Sequence, residues 1–296
     1  MDKRSGEQSP KAELKLDSIG TWSQAKHAVI ARYVAAYAQI LGNQGYLKFH
    51  YIDGFCGAGE STSKDTGAIL KGSPLHALGT ESPFTSYYFI DSNKGKTERL
   101  RQICDEDYPD RNIHIETGDS NKIIKEILPK FSYKGYDRIL CLLDPYGLHL
   151  AWDVIVQLGH LGKSGGKGIV DIMINFPIMD INRNYAPRNP SAVPKEAQRM
   201  DTFWGDDSWR TSLYKERGLL NLPEKVDYEN LVNAYCERLK KKAGFKFVPK
   251  PVKFTNTINA PIFYFCFASH NRTASKVATH LYKKTGDSLA NQRRRR

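Results

Sequence analysis

Residues Tyr51–Gly59 read Tyr-Ile-Asp-Gly-Phe-Cys-Gly-Ala-Gly and carry the strongest signal in the chain. The apolar start predicts a strand that ends in an acid and runs directly into a glycine-rich turn. Glycine permits positive φ angles and lets a ligand approach the backbone closely. The spacing is G-x-x-G-x-G, which differs from the G-x-G-x-x-G of dinucleotide-binding enzymes, and the Gly-Lys-Ser/Thr of a phosphate-binding P-loop is missing. We predict that the cofactor-binding residues of this turn are Asp53, Gly54, Phe55, Gly57 and Gly59.

Around this turn, short apolar segments alternate with amphipathic helical segments. Alternation of this kind, with nearly continuous apolar strands, predicts an α/β fold in which helices cover both faces of a parallel sheet. Two β-rich segments near the end of the chain predict an antiparallel hairpin that closes one edge of the sheet. The predicted strands are Phe49–Asp53, Ser86–Asp91, Asn112–Glu116, Arg138–Asp144 and Gly168–Asn175, followed by the hairpin strands Val252–Ile258 and Pro261–Ser269.

The rest of the chain gives the expected domain boundaries. A capping box at Thr21 and Gln24 predicts the start of a helix before the first strand. The segment after the fifth strand is too long for a simple crossover, and its apolar spacing predicts an inserted helical subdomain with Trp204 and Trp209 in its core. The expected divisions are a disordered tail (1–17), the cofactor-binding part of the main domain (18–177), the mainly helical insertion (178–250), the end of the main domain (251–285) and a basic tail (286–296).

The net charge of +12 predicts a polyanionic partner. Each lysine or arginine that contacts a phosphate releases counterions, and this release drives binding to nucleic acids. A basic enzyme without such a partner is the alternative, because charge bears on association and not on fold. We expect Lys240, Lys241 and Lys242 to bind a nucleic-acid substrate, with help from lysines of a last helix near Arg272–Lys284.

Several classes of protein are disfavoured by the sequence. No segment contains the ~18 consecutive apolar residues of a membrane span, and the N-terminal segment lacks the apolar core of a secretory signal. The five cysteines are scattered and lack the CxxC spacing of a zinc site. We therefore expect a cytoplasmic protein without a disulfide framework, a metal site or a membrane partner.

Further acidic residues follow the second and third predicted strands. Asp91 can accept hydrogen bonds from both hydroxyls of a ribose. Asp119 and Ser120 come after the third strand, where an acid can accept a hydrogen bond from an adenine amino group. Alternatively, Asp119 is the N-cap of the next helix. We predict that Asp91, Asp119 and Ser120 contribute to the cofactor site.

The fourth predicted strand ends in Asp144-Pro145-Tyr146-Gly147, at the edge where open α/β sheets bind their ligands. Methylation of an amino group needs acceptors for the N–H hydrogens, so that the nitrogen lone pair turns towards the methyl group. The carboxylate of Asp144 and the carbonyl of Pro145 can supply these acceptors, and Tyr146 can stack on a planar base. We predict that Asp144, Pro145 and Tyr146 are the catalytic residues. The alternative is a turn that merely closes a strand.

These segments resemble the three-Cys-motif partner (TcmP) proteins, a family with a methyltransferase-like fold. The resemblance implies a methyltransferase-like fold. The acids and glycine turns at four successive strand ends together predict S-adenosylmethionine as cofactor, and we also expect a protein partner and a role for Asn175 in substrate binding. Family members usually have a small residue at the position of Cys56. The matching positions beyond the glycine turn are Trp22, Lys26, Gly72-Ser73-Pro74, Asp91, Asp144-Pro145-Tyr146-Gly147, Asn175-Phe176-Pro177 and Ala268-Ser269.

The sequence thus predicts a Rossmann-like, S-adenosylmethionine-dependent methyltransferase that acts on an exocyclic amine of RNA or DNA. Asp144–Gly147 is similar to the Asp-Pro-Phe-Gly site of tRNA guanosine-N2 methyltransferases and, more distantly, to the Asp-Pro-Pro-Tyr of adenine-N6 enzymes. Two alternatives remain open. One is a catalytically weak module that keeps the fold and binds nucleic acid or a partner, and the other is a methyltransferase of small molecules.

Overall fold

A computed structural model describes residues 15–165, 167–185, 194–217, 222–225, 228–256 and 258–294. Short apolar runs of the sequence form its strands. The five inner strands of the main sheet are almost wholly buried, whereas its two edge strands are partly exposed. The strands are β1 (Ser18–Ile19), β2 (Lys48–Asp53), β3 (Glu60–Ser63), β4 (Ile69–Lys71), β5 (Ser86–Asp91), β6 (Ile113–Thr117), β7 (Asp137–Leu143), β8 (Val170–Phe176), β9 (Tyr214–Arg217), β10 (Leu222–Lys225), β11 (Val252–Thr255) and β12 (Pro261–Ala268).

The helices lie between the strands, as the alternating pattern predicts. Short 3-10 turns at Leu128–Lys130 and Lys163–Gly165 and a π-helical turn at Ile181–Tyr185 accompany them. The α-helices are α1 (Thr21–Gly42), α2 (Ser73–Leu78), α3 (Lys94–Asp107), α4 (Ser120–Ile127), α5 (Trp152–His160), α6 (Ile178–Asp180), α7 (Pro194–Trp204), α8 (Trp209–Leu213), α9 (Tyr228–Lys241) and α10 (Arg272–Arg294).

The main sheet has seven strands in the order β11-β12-β8-β7-β2-β5-β6. Strands β6, β5, β2, β7 and β8 are parallel, β12 is antiparallel to β8, and β11 is antiparallel to β12. The chain leaves β2 for β5 on one side and later returns to β7 on the other. Such a reversal opens a crevice at the carboxyl ends of the strands. This is the Rossmann-like α/β sheet with an antiparallel final hairpin that the sequence predicts.

Two hydrophobic clusters cover the two faces of the sheet. One packs α1, α2, α3 and α10 against the sheet, and Val29, Tyr33 and Leu100 belong to it. The other packs α4, α5 and the helices of the 178–250 segment against the opposite face, and it contains Trp204 and Trp209. Both tryptophans are buried, which confirms their predicted place in the core. The helical segment shares its core with β8, and it also carries the β9–β10 hairpin.

Several local predictions need correction. The capping box is wrong, because Gly20 is the N-cap of α1 and makes no side-chain cap hydrogen bond. The side chain of Gln24 instead donates to Ser63 Oγ in β3. The predicted tail is too long at its inner end: residues 1–14 lie outside the described part, but β1 pairs with β3 and the backbone carbonyl of Asp17 accepts the N–H of Thr62. The predicted basic tail continues α10 as far as Arg294.

Candidate functional site

A cavity of about 290 Å³ lies at the carboxyl edge of the sheet, beside β2, β7 and β8. The start of α1 closes it from one side, and the end of β8 and the start of β12 close it from the other. The predicted site residues that line it are Phe55, Gly57, Gly59, Asp144, Pro145, Tyr146 and Asn175. The parallel sheet brings these residues together because its strands all end at one edge.

The glycine turn presents its backbone to the cavity. Gly57 and Gly59 have φ angles of +64° and +78°, which side-chain-bearing residues rarely adopt. A Cβ atom on Gly57 would meet nothing within 4 Å, so the backbone there is open to a ligand. A Cβ atom on Gly59 would lie 2.7 Å from Leu100 Cδ1, so this glycine serves close packing.

Asp91 holds the turn from below. Its Oδ2 accepts the N–H of Gly57 at 3.0 Å, and its Oδ1 accepts the N–H of Asn93 at 2.8 Å. The side chain is largely buried and does not line the cavity wall. Each carboxylate oxygen has a second lone pair that can still accept a hydrogen bond. The main role of Asp91 is therefore to fix the conformation of the turn.

Asp53 lies beneath the turn and is fully buried. Its Oδ1 accepts the N–H of Phe55 at 3.2 Å, and its Oδ2 accepts the hydroxyl of Tyr51 at 3.4 Å. Burial raises the pKa of Asp53 to about 7, although hydrogen bonds from Ser73 and Phe55 oppose this shift. Asp53 thus supports the turn from the core and makes no wall of the cavity.

Gly54 and Ser120 join the turn to α4, away from the cavity. The buried hydroxyl of Ser120 donates to the carbonyl of Gly54. Asp119 is the N-cap of α4 and accepts the N–H of Asn121 at 2.9 Å. The N-cap interpretation of Asp119 is confirmed. Neither Asp119 nor Ser120 lines the cavity.

Asp144 forms an ion pair that the sequence analysis did not predict. Lys26 Nζ donates to its two oxygens at 2.8 and 2.6 Å. The two side chains are only 9% and 19% exposed, so the pair is largely shielded from water. The same ammonium lies 5.1 Å from the ring centroid of Phe263. A signal for this pair is present in the sequence, because Lys26 lies on the apolar stripe of α1 that continues through Val29 and Tyr33.

Tyr146 is tied to the N-terminal segment. Its hydroxyl donates to Asp17 Oδ2 at 2.7 Å, and Lys96 Nζ approaches the same oxygen at 2.6 Å. Lys96 Nζ also lies 5.1 Å from the ring centroid of Tyr146. Burial opposes ionisation of Asp17, but the hydrogen bonds from Lys96 and Tyr146 outweigh it and lower the pKa of Asp17. Asp17 belongs to the segment that was predicted to be a tail, and Lys96 was not among the predicted site residues.

One residue that lines this cavity has a buried polar atom without a partner. Asn175 lies near the end of β8, and its side-chain Oδ1 is buried. Among the described residues, this oxygen has no hydrogen-bond partner. A buried acceptor without a partner costs free energy, roughly 1–3 kcal/mol, unless a ligand satisfies it. Asn175 can therefore accept a hydrogen bond from a bound ligand.

The three predicted substrate lysines lie elsewhere. The end of α9 packs against the end of α5, since a Cβ atom on Gly159 would clash with Ala243, and α5 leads to the edge where β8 begins. Lys240 and Lys241 pair with Glu237 at 2.7 and 3.6 Å. The structure therefore does not bring Lys240, Lys241 and Lys242 together with Asp144, which lies at the opposite edge of the sheet.

In the part of the chain that the structure describes, no group of three or more His, Cys, Asp or Glu side chains could hold a metal ion. No described helix is long and apolar enough to cross a membrane.

Comparison with known proteins gives architectural similarity only. No family model matches the chain, and no curated protein matches it. Protein LPL1258 from Legionella pneumophila is 11% identical with a TM-score of 0.48, covering 90% of this chain and 92% of that chain. An S-adenosylmethionine-dependent methyltransferase from Leishmania major is 12% identical with a TM-score of 0.37, covering 81% and 72%. A putative methyltransferase from Thermobifida fusca is 14% identical with a TM-score of 0.41, covering 84% and 81%.

Proposed function

We propose that the protein is an S-adenosylmethionine-dependent methyltransferase, related to the TcmP proteins, that methylates an exocyclic amine of a nucleobase in RNA or DNA. Guanine N2 and adenine N6 are the expected acceptors. One observation carries the proposal: a single cavity is lined by the open backbone of Gly57 and by Asp144-Pro145-Tyr146. A nucleic-acid substrate also agrees with the net charge of +12.

The residues of the cavity fit the cofactor. The space in front of Gly57 allows a ligand to approach the backbone, and Asp91 holds this part of the turn in place. The oxygen of Asn175 needs a donor, which an amino group of the cofactor or the substrate can provide. S-adenosylmethionine, when bound, supplies an electrophilic methyl group on its sulfonium.

Asp144 has the capacity to orient an amine while it remains paired with Lys26. A carboxylate offers about four lone-pair positions, and Lys26 occupies one on each oxygen. The remaining lone pairs can accept the N–H hydrogens of an exocyclic amine, so that its nitrogen lone pair points towards the methyl group. The nitrogen loses its proton after transfer, so no base has to act beforehand. Positioning then supplies most of the rate.

Lys26 contributes to this arrangement through the geometry of Asp144. Its ammonium fixes both carboxylate oxygens and is itself held by α1, which is well packed against the sheet. Tyr146 is 63% exposed as a residue, and its ring offers an apolar face on which a base can stack. The carbonyl of Pro145 is a second acceptor within the same turn.

A transfer assay with labelled S-adenosylmethionine and pooled RNA and DNA tests the proposal. Wild-type protein should transfer the methyl group, and Asp144→Ala should lose transfer while calorimetry shows nearly unchanged cofactor affinity. Asp153→Ala is the matched control, since Asp153 also pairs with a lysine, Lys125, but on the surface. Equal transfer by wild type and Asp144→Ala would contradict the assigned role of Asp144.

One observation favours a second candidate, a catalytically weak module that binds nucleic acid or a partner. Both oxygens of Asp144 already accept hydrogen bonds from Lys26, as they would in a site that only maintains the fold. The same assay separates the two. The module is supported if the protein binds nucleic acid but transfers no methyl group to any pool.

A further inference from the structure

A second concave surface lies at the opposite edge of the sheet from Asp144. It is a cleft of about 680 Å³ where β7 and β8 begin, between the end of α1 and the start of α10. We call it the basic cleft and define it by the four cationic side chains that line it, which are Arg138, Lys167, Lys246 and Arg272. The mechanism proposed above uses none of them.

These four cations lack compensating charge. In the described ranges of the chain, the lysines and arginines that form ion pairs with carboxylates do not include any of these four. Lys163 lies next to them, and burial together with the charge of Lys246 lowers the pKa of Lys163. Positive charge is therefore concentrated here without an ion-pair partner, although the guanidinium of Arg138 donates to the carbonyl of Asp137 and lies 5.3 Å from the ring centroid of Tyr133.

Asp171 is the one carboxyl among the described residues that line the cleft, and it offsets little of this charge. It is buried, and its two oxygens accept hydrogen bonds from the hydroxyls of Ser269 and Tyr33. Burial raises the pKa of Asp171 to about 7, despite these hydrogen bonds and the nearby Arg138. The carboxyl is thus partly neutral at physiological pH, and the cleft keeps its positive potential.

The rim and wall of the cleft offer contacts for bases. Tyr46 is 65% exposed, and its ring meets that of the exposed Tyr136 edge-on at 5.7 Å. His270 Nε2 lies 2.9 Å from the carbonyl of Gly159, which can only accept, so Nε2 carries the proton. His270 Nδ1 is then a lone-pair acceptor, and it is buried without a partner among the described residues. A ribose hydroxyl or a base amino group can donate to it.

We propose that the basic cleft binds the phosphodiester backbone of a single-stranded nucleic acid, at a site separate from the methyl-transfer cavity. Uncompensated cations attract the phosphates, and the exposed tyrosines provide faces for unpaired bases. This inference rests on the proposed function for its substrate class. Because β7 spans seven residues, or about 23 Å at ~3.3 Å per residue, between the cleft and Asp144, only a strand that extends well beyond the target base reaches both sites.

Fluorescence anisotropy with a labelled single-stranded RNA, measured over a range of salt concentrations, tests the inference. The variant is Lys167→Gln/Lys246→Gln, which removes two exposed charges without touching the core. We expect the slope of log K against log salt to fall by about 1.4, because each lost phosphate contact on a single strand contributes ~0.7. The affinity at low salt should fall about tenfold or more. A matched control, Lys250→Gln/Lys253→Gln, removes the same charge beside β11 and should change both quantities much less.

Several outcomes would overturn the inference. These are an unchanged slope in the cleft variant, an equal loss in the control variant, or full competition by inorganic phosphate or a mononucleotide, which would make the cleft a site for small phosphate esters. Binding of anionic lipid vesicles in preference to RNA would assign it to a membrane surface. The two proposals fail separately. Loss of RNA binding in the cleft variant supports the cleft even if the wild type transfers no methyl group, whereas methyl transfer with unaltered RNA binding refutes the cleft alone.

Discussion

The contribution of the ion pair between Lys26 and Asp144 to stability can be predicted and measured without knowing the substrate. The perturbation is a double-mutant cycle with Lys26→Met, Asp144→Asn and the double variant. Methionine keeps the apolar stem of the lysine, and asparagine keeps the shape of the aspartate. The cycle therefore isolates the interaction of the two charges.

The magnitude follows from the geometry. Breaking a fully buried pair costs about 3–5 kcal/mol, because one charge remains buried and uncompensated. Lys26 Nζ lies 2.6 and 2.8 Å from the two oxygens of Asp144, but the Asp144 side chain is 19% exposed, so solvent screens part of the interaction. We therefore expect each single variant to lose about 2 kcal/mol of unfolding free energy and the coupling energy to be about 1–2 kcal/mol.

Urea denaturation followed by fluorescence measures these energies. The matched comparison is a cycle on Lys125 and Asp153, which pair at 2.9 Å with 33% and 57% of their side chains exposed. The coupling energy of this surface pair should stay below ~0.5 kcal/mol, as is usual for exposed ion pairs. A coupling between Lys26 and Asp144 no larger than that of the surface pair would refute the view that α1 holds the carboxylate in place.

Three further predictions concern the turn, the stacking residue and the buried acid. Gly57→Val fills the open space of the turn, and Asp91→Ala leaves the Gly57 N–H without its acceptor. Each variant should weaken S-adenosylmethionine binding in calorimetry, and Asp91→Ala should do so by roughly 1–3 kcal/mol. Unchanged affinity in the combined variant would show that the cofactor does not bind at this turn. Tyr146→Phe should keep most of the methyl transfer, while Tyr146→Ala should lose it, and equal rates would exclude stacking. Burial raises the pKa of Asp53 to about 7, so its contribution to stability is fully present below the unfolded pKa of 3.8 and is lost as pH rises through 7. Asp53 should therefore lower the unfolding free energy by about 1 kcal/mol per pH unit over this window. Asp53→Asn should remove this part of the slope and leave the part that comes from Asp171, whose pKa burial also raises to about 7.

The sequence was sufficient to predict the main sheet and the residues that lie at its carboxyl edge in the candidate site. Alternating apolar strands and amphipathic helices specify a parallel sheet, and parallel strands place Gly57 and Asp144 at one edge whatever the details of the loops. The apolar periodicity of α1 also indicates that Lys26 is a cation on a buried helix face, but it does not indicate which carboxylate pairs with it. The partner depends on how α1 crosses the sheet, which local patterns do not contain.

Other predictions failed where tertiary contacts override local ones. Gln24 could have closed a capping box, yet β3 places Ser63 Oγ within its reach. Asp17 belongs to a polar segment that looks like a tail, but β1 pairs with β3 and brings its carboxylate to Tyr146 and Lys96. The direction of α9 carries Lys242 to the far edge of the sheet, and helical periodicity gives no information on direction.

Identification of the methylated nucleoside tests the central claim most directly. Pooled RNA and DNA are incubated with wild-type protein and labelled S-adenosylmethionine, digested to nucleosides and separated by chromatography, with Asp144→Ala in parallel. We predict that the label appears in N2-methylguanine or N6-methyladenine nucleosides and that Asp144→Ala gives none, while it still binds the cofactor. Label in a ring-carbon product such as 5-methylcytosine, or the same N-methylated product from Asp144→Ala, would contradict amine methylation at Asp144.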